Sequence, residues 1–531
     1  MQRFLKHISV KDKGNRANFI LAVLSGLVYI GLRLTMHERI GAAGYHDGGL
    51  LSYESYYHYA FAEEMTRTGH FLLFQNPFGS LDKQPHLFNL YASFLKIFSP
   101  LYKNNLFVFD CIFGAIFLFF TSLFLMILLS RLKIIDKAIV LFGGGIAYIV
   151  AFAGFASKGD AIWAGFWGLT YLLNQISTPE IIYHFLFFLG LLCLIKGHDF
   201  WVISVIAILT FLHPFTSMIF DVAVISAWLY QLIRTGKVIN ARFTLLVYAL
   251  VSIIILVLLF QIYLPSVSAD AKYFKRAYEK ENFHIDVAQY GMFLTIPLAY
   301  CLVSFLFTKT TERTKYGETL WVFLITATFC VVMNMSYLFT DITIQPAHWS
   351  RVYPYVLLIA VGGLYSIKGT DNKPPRILEL AKLFLFMIAI ADSALGVKYM
   401  SEALFQEKRP PLFLTTDQKK IISKAKDLPR GMFLYLRDGK NEKQVGDFEY
   451  ALMSMSPQKG FVGHRFFSPF LEILTPHMYP ELTEYRITDS LINRSRYVIF
   501  DKKLFIKSGF RFRDILYEGN ELVFAKITQN R

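Results

Sequence analysis

The chain has 531 residues, 54% of them hydrophobic and 17% aromatic, and only 18% charged. A soluble chain carries about 25% charged residues; here the charges gather in short clusters between long apolar runs, which points to membrane spans and excludes a string of soluble domains. The net charge of +15 does not signal nucleic acid, because the Lys and Arg sit in short loops between apolar segments, as in the cytoplasmic loops of membrane proteins. Membrane lipids with anionic headgroups, or a phosphate-bearing lipid substrate, are the expected partners.

Basic residues at Arg3, Lys6, Lys11, Lys13 and Arg16 precede the apolar run 19–34. No small-residue cleavage site follows, so this run reads as an uncleaved first span rather than a signal peptide. Further spans are expected near 106–130, 138–155, 180–196, 200–212, 215–233, 243–264, 292–308, 319–339, 352–367 and 378–398. With 17–35 they make about eleven, judged against the roughly 20 apolar residues of a full crossing. His213-Pro214 breaks the run 200–233, and such a break inside a bundle needs protein or a cavity to satisfy the freed backbone groups. The stretch 161–175 is short and reads as an interfacial or re-entrant helix.

With the N-terminus inside, inner loops hold Arg131, Lys133 and Lys137; Arg234, Lys237 and Arg242; Lys309, Arg313 and Lys315; and Lys368, Lys373 and Arg376. That bias sets the orientation. The outer side receives the loops 36–105 and 265–291 and the C-terminal segment 399–531. The expected fold is therefore an α-helical polytopic membrane domain over 1–398, followed by a small α/β soluble domain over 399–531. Apolar runs at 432–436, 497–500 and 522–525 read as its strands. Cys111, Cys193, Cys301 and Cys330 lie in apolar stretches; buried free thiols are expected, with no metal spacing and no disulfide framework.

The first outer loop is the most informative segment. It carries Tyr45-His46-Asp47-Gly48-Gly49, then Tyr53-Glu54-Ser55 and His58, Glu63-Glu64-Met65, Gly69, and Lys83-Gln84-Pro85-His86-Leu87. The stretch 53–68 has helical apolar spacing and is expected to lie at the interface as an amphipathic helix. Glu54 stands at its start, where the helix dipole favours a carboxylate.

This pattern resembles the first periplasmic loop of the GT-C glycosyltransferases, and among them the protein mannosyltransferases and the lipid A aminoarabinose transferases. Their loop has an acidic pair after the first span, a helix ending Met-x-x-x-Gly, and a proline-bearing Lys-Pro-Pro-Leu-like element. Glu54 falls at the first acid, Met65 and Gly69 keep the family spacing, and Lys83 to Leu87 stand in for the later element. Ser55 replaces the second acid and His86 one proline. With a shifted alignment, Asp47 becomes the rival acid.

The resemblance implies a polyprenyl-phosphate-linked sugar donor and a lipid, glycan or protein acceptor at the outer face of a bacterial inner membrane. The base would be Glu54, with Asp47 supporting or replacing it, because a positioned carboxylate can deprotonate the attacking hydroxyl. The resemblance also implies a basic residue in a late outer loop on the donor phosphate. Arg351, beside His348, fits that role first, and Lys272 and Arg276 second; Lys83 and His86 belong to the same outer face. His58, one turn beyond Glu54, either interacts with it or simply packs. His213 either caps the broken helix or lines the substrate cavity. Asp110 and Asp221 are acids within or near spans, which are costly there unless used. A divalent cation (Mg or Mn) on His46, Asp47 and Glu54 would follow some members of the superfamily, though composition and spacing assign no metal.

Two other classes share parts of this pattern. A transporter or flippase of lipid-linked glycan also has many spans and broken helices, but it commonly shows internal repeats, and none is visible here. A glycan polymerase or ligase would differ in donor and acceptor size rather than in chemistry. A non-catalytic membrane scaffold predicts no effect of substitution at Glu54 or Arg351.

Overall fold

The computed structural model describes residues 13–42, 46–47, 53–69, 89–102, 105–131, 178–236, 240–259, 310–334, 413–436, 446–460, 495–503 and 514–527. The expected spans at 138–155, 292–308, 352–367 and 378–398, and the short helix at 161–175, lie outside these residues. In chain order the elements are α1 (Lys13–Ala42), β1 (His46–Asp47), α2 (Tyr53–Thr68), α3 (Asn89–Ile97), α4 (Ser99–Tyr102), α5 (Leu106–Arg131), α6 (Thr178–Lys196), α7 (Asp199–Leu212), α8 (Pro214–Thr235), α9 (Asn240–Leu258) and α10 (Thr310–Asn334). They continue with β2 (Phe413–Leu414), α11 (Thr416–Lys426), β3 (Met432–Leu436), α12 (Gly446–Met455), β4 (Lys459–Gly460), β5 (Tyr497–Asp501), β6 (Asp514–Glu518) and β7 (Leu522–Lys526). The described chain is thus mostly helical, with a small five-stranded sheet and a two-stranded β1–β2 pair. Contacts divide it into two units, one of Met1–Arg33, Cys111–Phe260 and Glu279–Gln406, the other of Leu34–Asp110, Gln261–Tyr278 and Glu407–Arg531.

The first unit is built from apolar helices. Among the described residues, Leu106–Ser130 of α5 and Pro214–Thr235 of α8 are long and apolar enough to cross a membrane. Ile181–Lys196, Asp199–Leu212, Arg242–Leu258 and Gly317–Met333 are shorter apolar helical stretches. Small and hydroxyl-bearing residues line the contacts, the usual means of joining helices where apolar burial gives no advantage. Ser25 donates to Ser122 at 2.8 Å and Asn18 to Ser130 at 2.9 Å, tying α1 to α5. Gly190 of α6 sits where a Cβ would come within 2.5 Å of the Phe220 ring and 2.9 Å of Val205. Cys111, Cys193 and Cys330 are buried free thiols.

The break at 213–214 has a local cause. Pro214 occupies the first turn of α8, where its missing N–H costs nothing. The His213 N–H closes α7 on the Leu209 carbonyl at 2.9 Å, and its Nδ1 accepts from the Thr216 N–H at 3.3 Å. Thr216 Oγ1 lies 2.7 Å from the same nitrogen, and the ring stacks on Tyr183 at 4.2 Å. Helix α8 ends at Gly236, whose φ of 64° is left-handed and which donates to Leu232 at 2.9 Å, a glycine cap.

The second unit holds a five-stranded sheet in the order β4-β3-β5-β7-β6. β3 is parallel to β4 and β5, while β5–β7 and β7–β6 are antiparallel. The central strands β5 and β7 are buried along their first four residues and β6 is largely exposed, which matches continuous apolar runs inside and a polar edge. Thr415 and Gln418 form a reciprocal capping box on α11, satisfying two amides the helix leaves open. Asp417 then accepts from Tyr517 Oη at 2.7 Å and from the amides of Glu521 and Leu522 at 2.7 and 3.1 Å. Gly519, in the β6–β7 turn, leaves the space this carboxylate fills.

Candidate functional site

The site is built from the residues of α2 upward. The helix spans Tyr53–Thr68, the bounds expected from its spacing, and closes at Gly69, whose φ is 75°. Glu54 lies in its first turn. From His58 to Met65 every residue is buried, because α3 and α12 both pack against it. The expectation of an interfacial amphipathic helix therefore meets a different result. This half of α2 is enclosed by protein on all sides, and its polar residues find partners inside.

Two adjacent carboxylates in such a place are costly unless paired. Glu64 is bridged by Arg430, from the segment before β3. Arg67, one turn along, reaches Glu63 at 3.7 Å and Glu64 at 3.6 Å. Arg67 also donates to the Ser456 carbonyl at 2.5 Å, past the end of α12. Burial lowers the Arg67 pKa, and the Glu63 and Glu64 carboxylates oppose that shift. Two acids thus face two guanidinium groups, and the cluster is neutral overall.

Aromatic side chains complete the enclosure. Tyr59 Oη donates to Asp110 at 3.3 Å, and burial followed by the Asp110 charge raises its pKa well above the usual phenol range. Tyr102 is raised in the same way by burial and by Glu63. His58 meets the Tyr91 ring edge-on at 4.9 Å, and burial depresses its pKa to about 3. Burial thus favours its neutral form at physiological pH. Met65 lies with its sulfur 3.6 Å from Ser93 Oγ.

Asp47 is held by a second tie. β1 pairs antiparallel with β2, His46 opposite Leu414 and Asp47 opposite Phe413. Both candidate acids thus stand on elements that the C-terminal segment holds, β1 through β2, and α2 through α12 and Arg430. Among the described residues no three His, Cys, Asp or Glu side chains converge as a metal site.

His213 takes the capping geometry described above. Asp110 receives Tyr59, and Asp221 receives Ser252 at 2.7 Å. Lys83, His86, Lys272, Arg276, His348 and Arg351 lie outside the described residues. Sequence reading did not reach Glu63, Glu64, Arg67 and Arg430 as a cluster. The adjacent acids with Arg three and four residues on were visible, but Arg430 stands 366 positions away. No protein-family model matches the chain, and no curated protein matches it.

Proposed function

We propose that the chain is a multi-pass membrane glycosyltransferase of the GT-C type, transferring a sugar from a polyprenyl-phosphate donor to a lipid, glycan or protein acceptor. The observation that carries this reading is α2: a helix between two apolar helices in the chain, with Glu54 in its first turn and its end at Thr68-Gly69, as the family pattern requires. The membrane setting is supported by the outward faces of the helices. Ile112, Ile116 and Phe120 form an exposed stripe on α5, and Val247, Val251, Ile254 and Leu258 one on α9. Helices of a soluble protein place polar residues there.

In this reaction the Glu54 carboxylate takes the proton of the acceptor hydroxyl. The oxygen forms a bond to the anomeric carbon as the bond from that carbon to the phosphate oxygen breaks, inverting the centre, and the electron pair leaves on the lipid phosphate. Arg351, Lys272 and Arg276, with His348, Lys83 and His86, are the proposed partners of that phosphate, where cationic donors stabilise the developing charge. Asp47 supports Glu54 or replaces it as base.

The test is transfer of radiolabelled sugar from a panel of polyprenyl-phosphate sugars to membrane extract, by wild type and Glu54→Gln. Transfer by wild type alone is expected, with a loss of at least about 100-fold in the variant. Transfer by both moves the base to Asp47. No transfer from any donor by well-folded protein overturns the reading in favour of a transporter or scaffold.

A further inference from the structure

Three helices of the first unit bring four oxygen-bearing side chains together. They are Thr210 of α7, Ser217 and Asp221 one turn apart on α8, and Ser252 of α9. Ser217 and Asp221 are 0% exposed, and Thr210 and Ser252 are 3% exposed. Thr210 Oγ1 lies 2.8 Å from Ser252 Oγ and 3.3 Å from Ser217 Oγ. Ser217 and Ser252 are 3.3 Å apart, and Ser252 donates to Asp221 Oδ2 at 2.7 Å. Ser217 stands beside the same carboxylate.

The protons of this cluster do not cover its contacts. Thr210 Oγ1 can donate to the Ile206 carbonyl at 2.7 Å or to Ser252 at 2.8 Å, and Ser252 gives its own proton to Asp221. Three hydroxyl protons thus serve five close oxygen–oxygen contacts. The other carboxylate oxygen, Asp221 Oδ1, has no hydrogen-bond partner, and no Lys, Arg or His among the described residues bridges to Asp221. A fully buried polar group left in this way is strongly unfavourable. The cluster also straddles the helix break: Pro214 has no N–H to give the Thr210 carbonyl, its acceptor four residues back. Another oxygen at the same place has lost its helical donor.

We infer that Thr210, Ser217, Asp221 and Ser252 form a binding site for one sodium ion at the broken α7–α8 helix. A hard cation takes hydroxyl, carbonyl and carboxylate oxygens. The single carboxylate matches one positive charge, where a calcium site would gather several. Bound there, the ion would be shared by these oxygens, including the unpartnered Asp221 Oδ1, and would join α7, α8 and α9. The inference does not rest on the glycosyltransferase reading, and its test contains no sugar donor.

The experiment is thermal unfolding of the full chain in detergent while NaCl replaces choline chloride at constant ionic strength. A saturating rise in Tm of a few degrees is expected for wild type, since a ligand that binds only the folded state stabilises it by mass action. Asp221→Asn should abolish the rise. Because that variant can fail to fold, Ser252→Ala and Thr210→Val, which keep the carboxylate, are measured beside it, and each should weaken the sodium dependence about tenfold. A wild-type Tm indifferent to sodium overturns the inference, including the case in which the carboxylate instead takes a proton and Tm moves only with pH. An equal rise in wild type and in the Ser252 and Thr210 variants overturns it as well.

Discussion

Glu64 is only 2% exposed, and Arg430 and Arg67 meet its carboxylate. Removing one cation from such a pair leaves an acid stranded in protein, which costs far more than the pair itself is worth. Arg430→Met should therefore lower stability by about 1–3 kcal/mol, the half-exposed Arg430 and the remaining Arg67 keeping it below the fully buried case. Adding Glu64→Gln should restore much of that loss, because the stranded charge is gone; thermal unfolding of the four proteins in one cycle reads the coupling, and simply additive costs would refute it. His58 gives a pH dependence of known sign. Its folded pKa, about 3, lies below the unfolded value of about 6.5, so between the two the unfolded chain binds the extra proton. Stability should be full above pH 6.5 and fall as pH drops toward 3. His58→Phe should flatten that slope in a Tm profile against pH; an unchanged slope would mean that other groups carry it. At this scale Glu54 and Asp47 became candidates through the resemblance of their loop to a family pattern. The partners of Glu63 and Glu64 were not legible, since no local rule reaches across 366 positions.

Elements were more legible than their surroundings. The bounds of α2 and the runs that became β3, β5 and β7 follow from apolar periodicity and flanking turn residues, which are local. The enclosure of α2 was hidden, because α12, which covers it, comes nearly four hundred residues later in the sequence. The sheet edge offers a comparable case. Asp417 joins α11 to the β6–β7 hairpin through a hydroxyl and two amides, and although burial pushes its pKa up, those hydrogen bonds with nearby Lys420 leave it below the usual carboxylate range. Asp417→Ala would orphan two backbone N–H groups and should cost about 2–3 kcal/mol. Hydrogen exchange read on peptides covering 514–527 should accelerate, with peptides from α2 unchanged. Equal protection in mutant and wild type would reduce Asp417 to a surface acid.

At the scale of the whole molecule, the second unit constrains the passage of the chain through a membrane. β1 pairs with β2, α2 packs on α12, and Glu64 bridges to Arg430. Residues 46–68 and 413–455 must therefore lie on the same side of any bilayer, and the chain between them must cross it an even number of times. The proposed topology meets this condition without having been chosen for it: eleven spans less the first leave ten between the loop and the C-terminal segment. In the proposed orientation Arg131, Arg234, Arg313 and Arg376 all fall in cytoplasmic loops. Fusions ending after residues 135, 237 and 371 should then carry an active cytoplasmic fluorescent reporter and an inactive exported phosphatase. A fusion at residue 531 should show the reverse. An active phosphatase at 371 together with a fluorescent C-terminus would invert the proposed orientation while keeping the number of crossings between β1 and β2 even, as their pairing requires. Such a result would move Glu54 and Arg351 together to the cytoplasmic side and overturn transfer at the outer face.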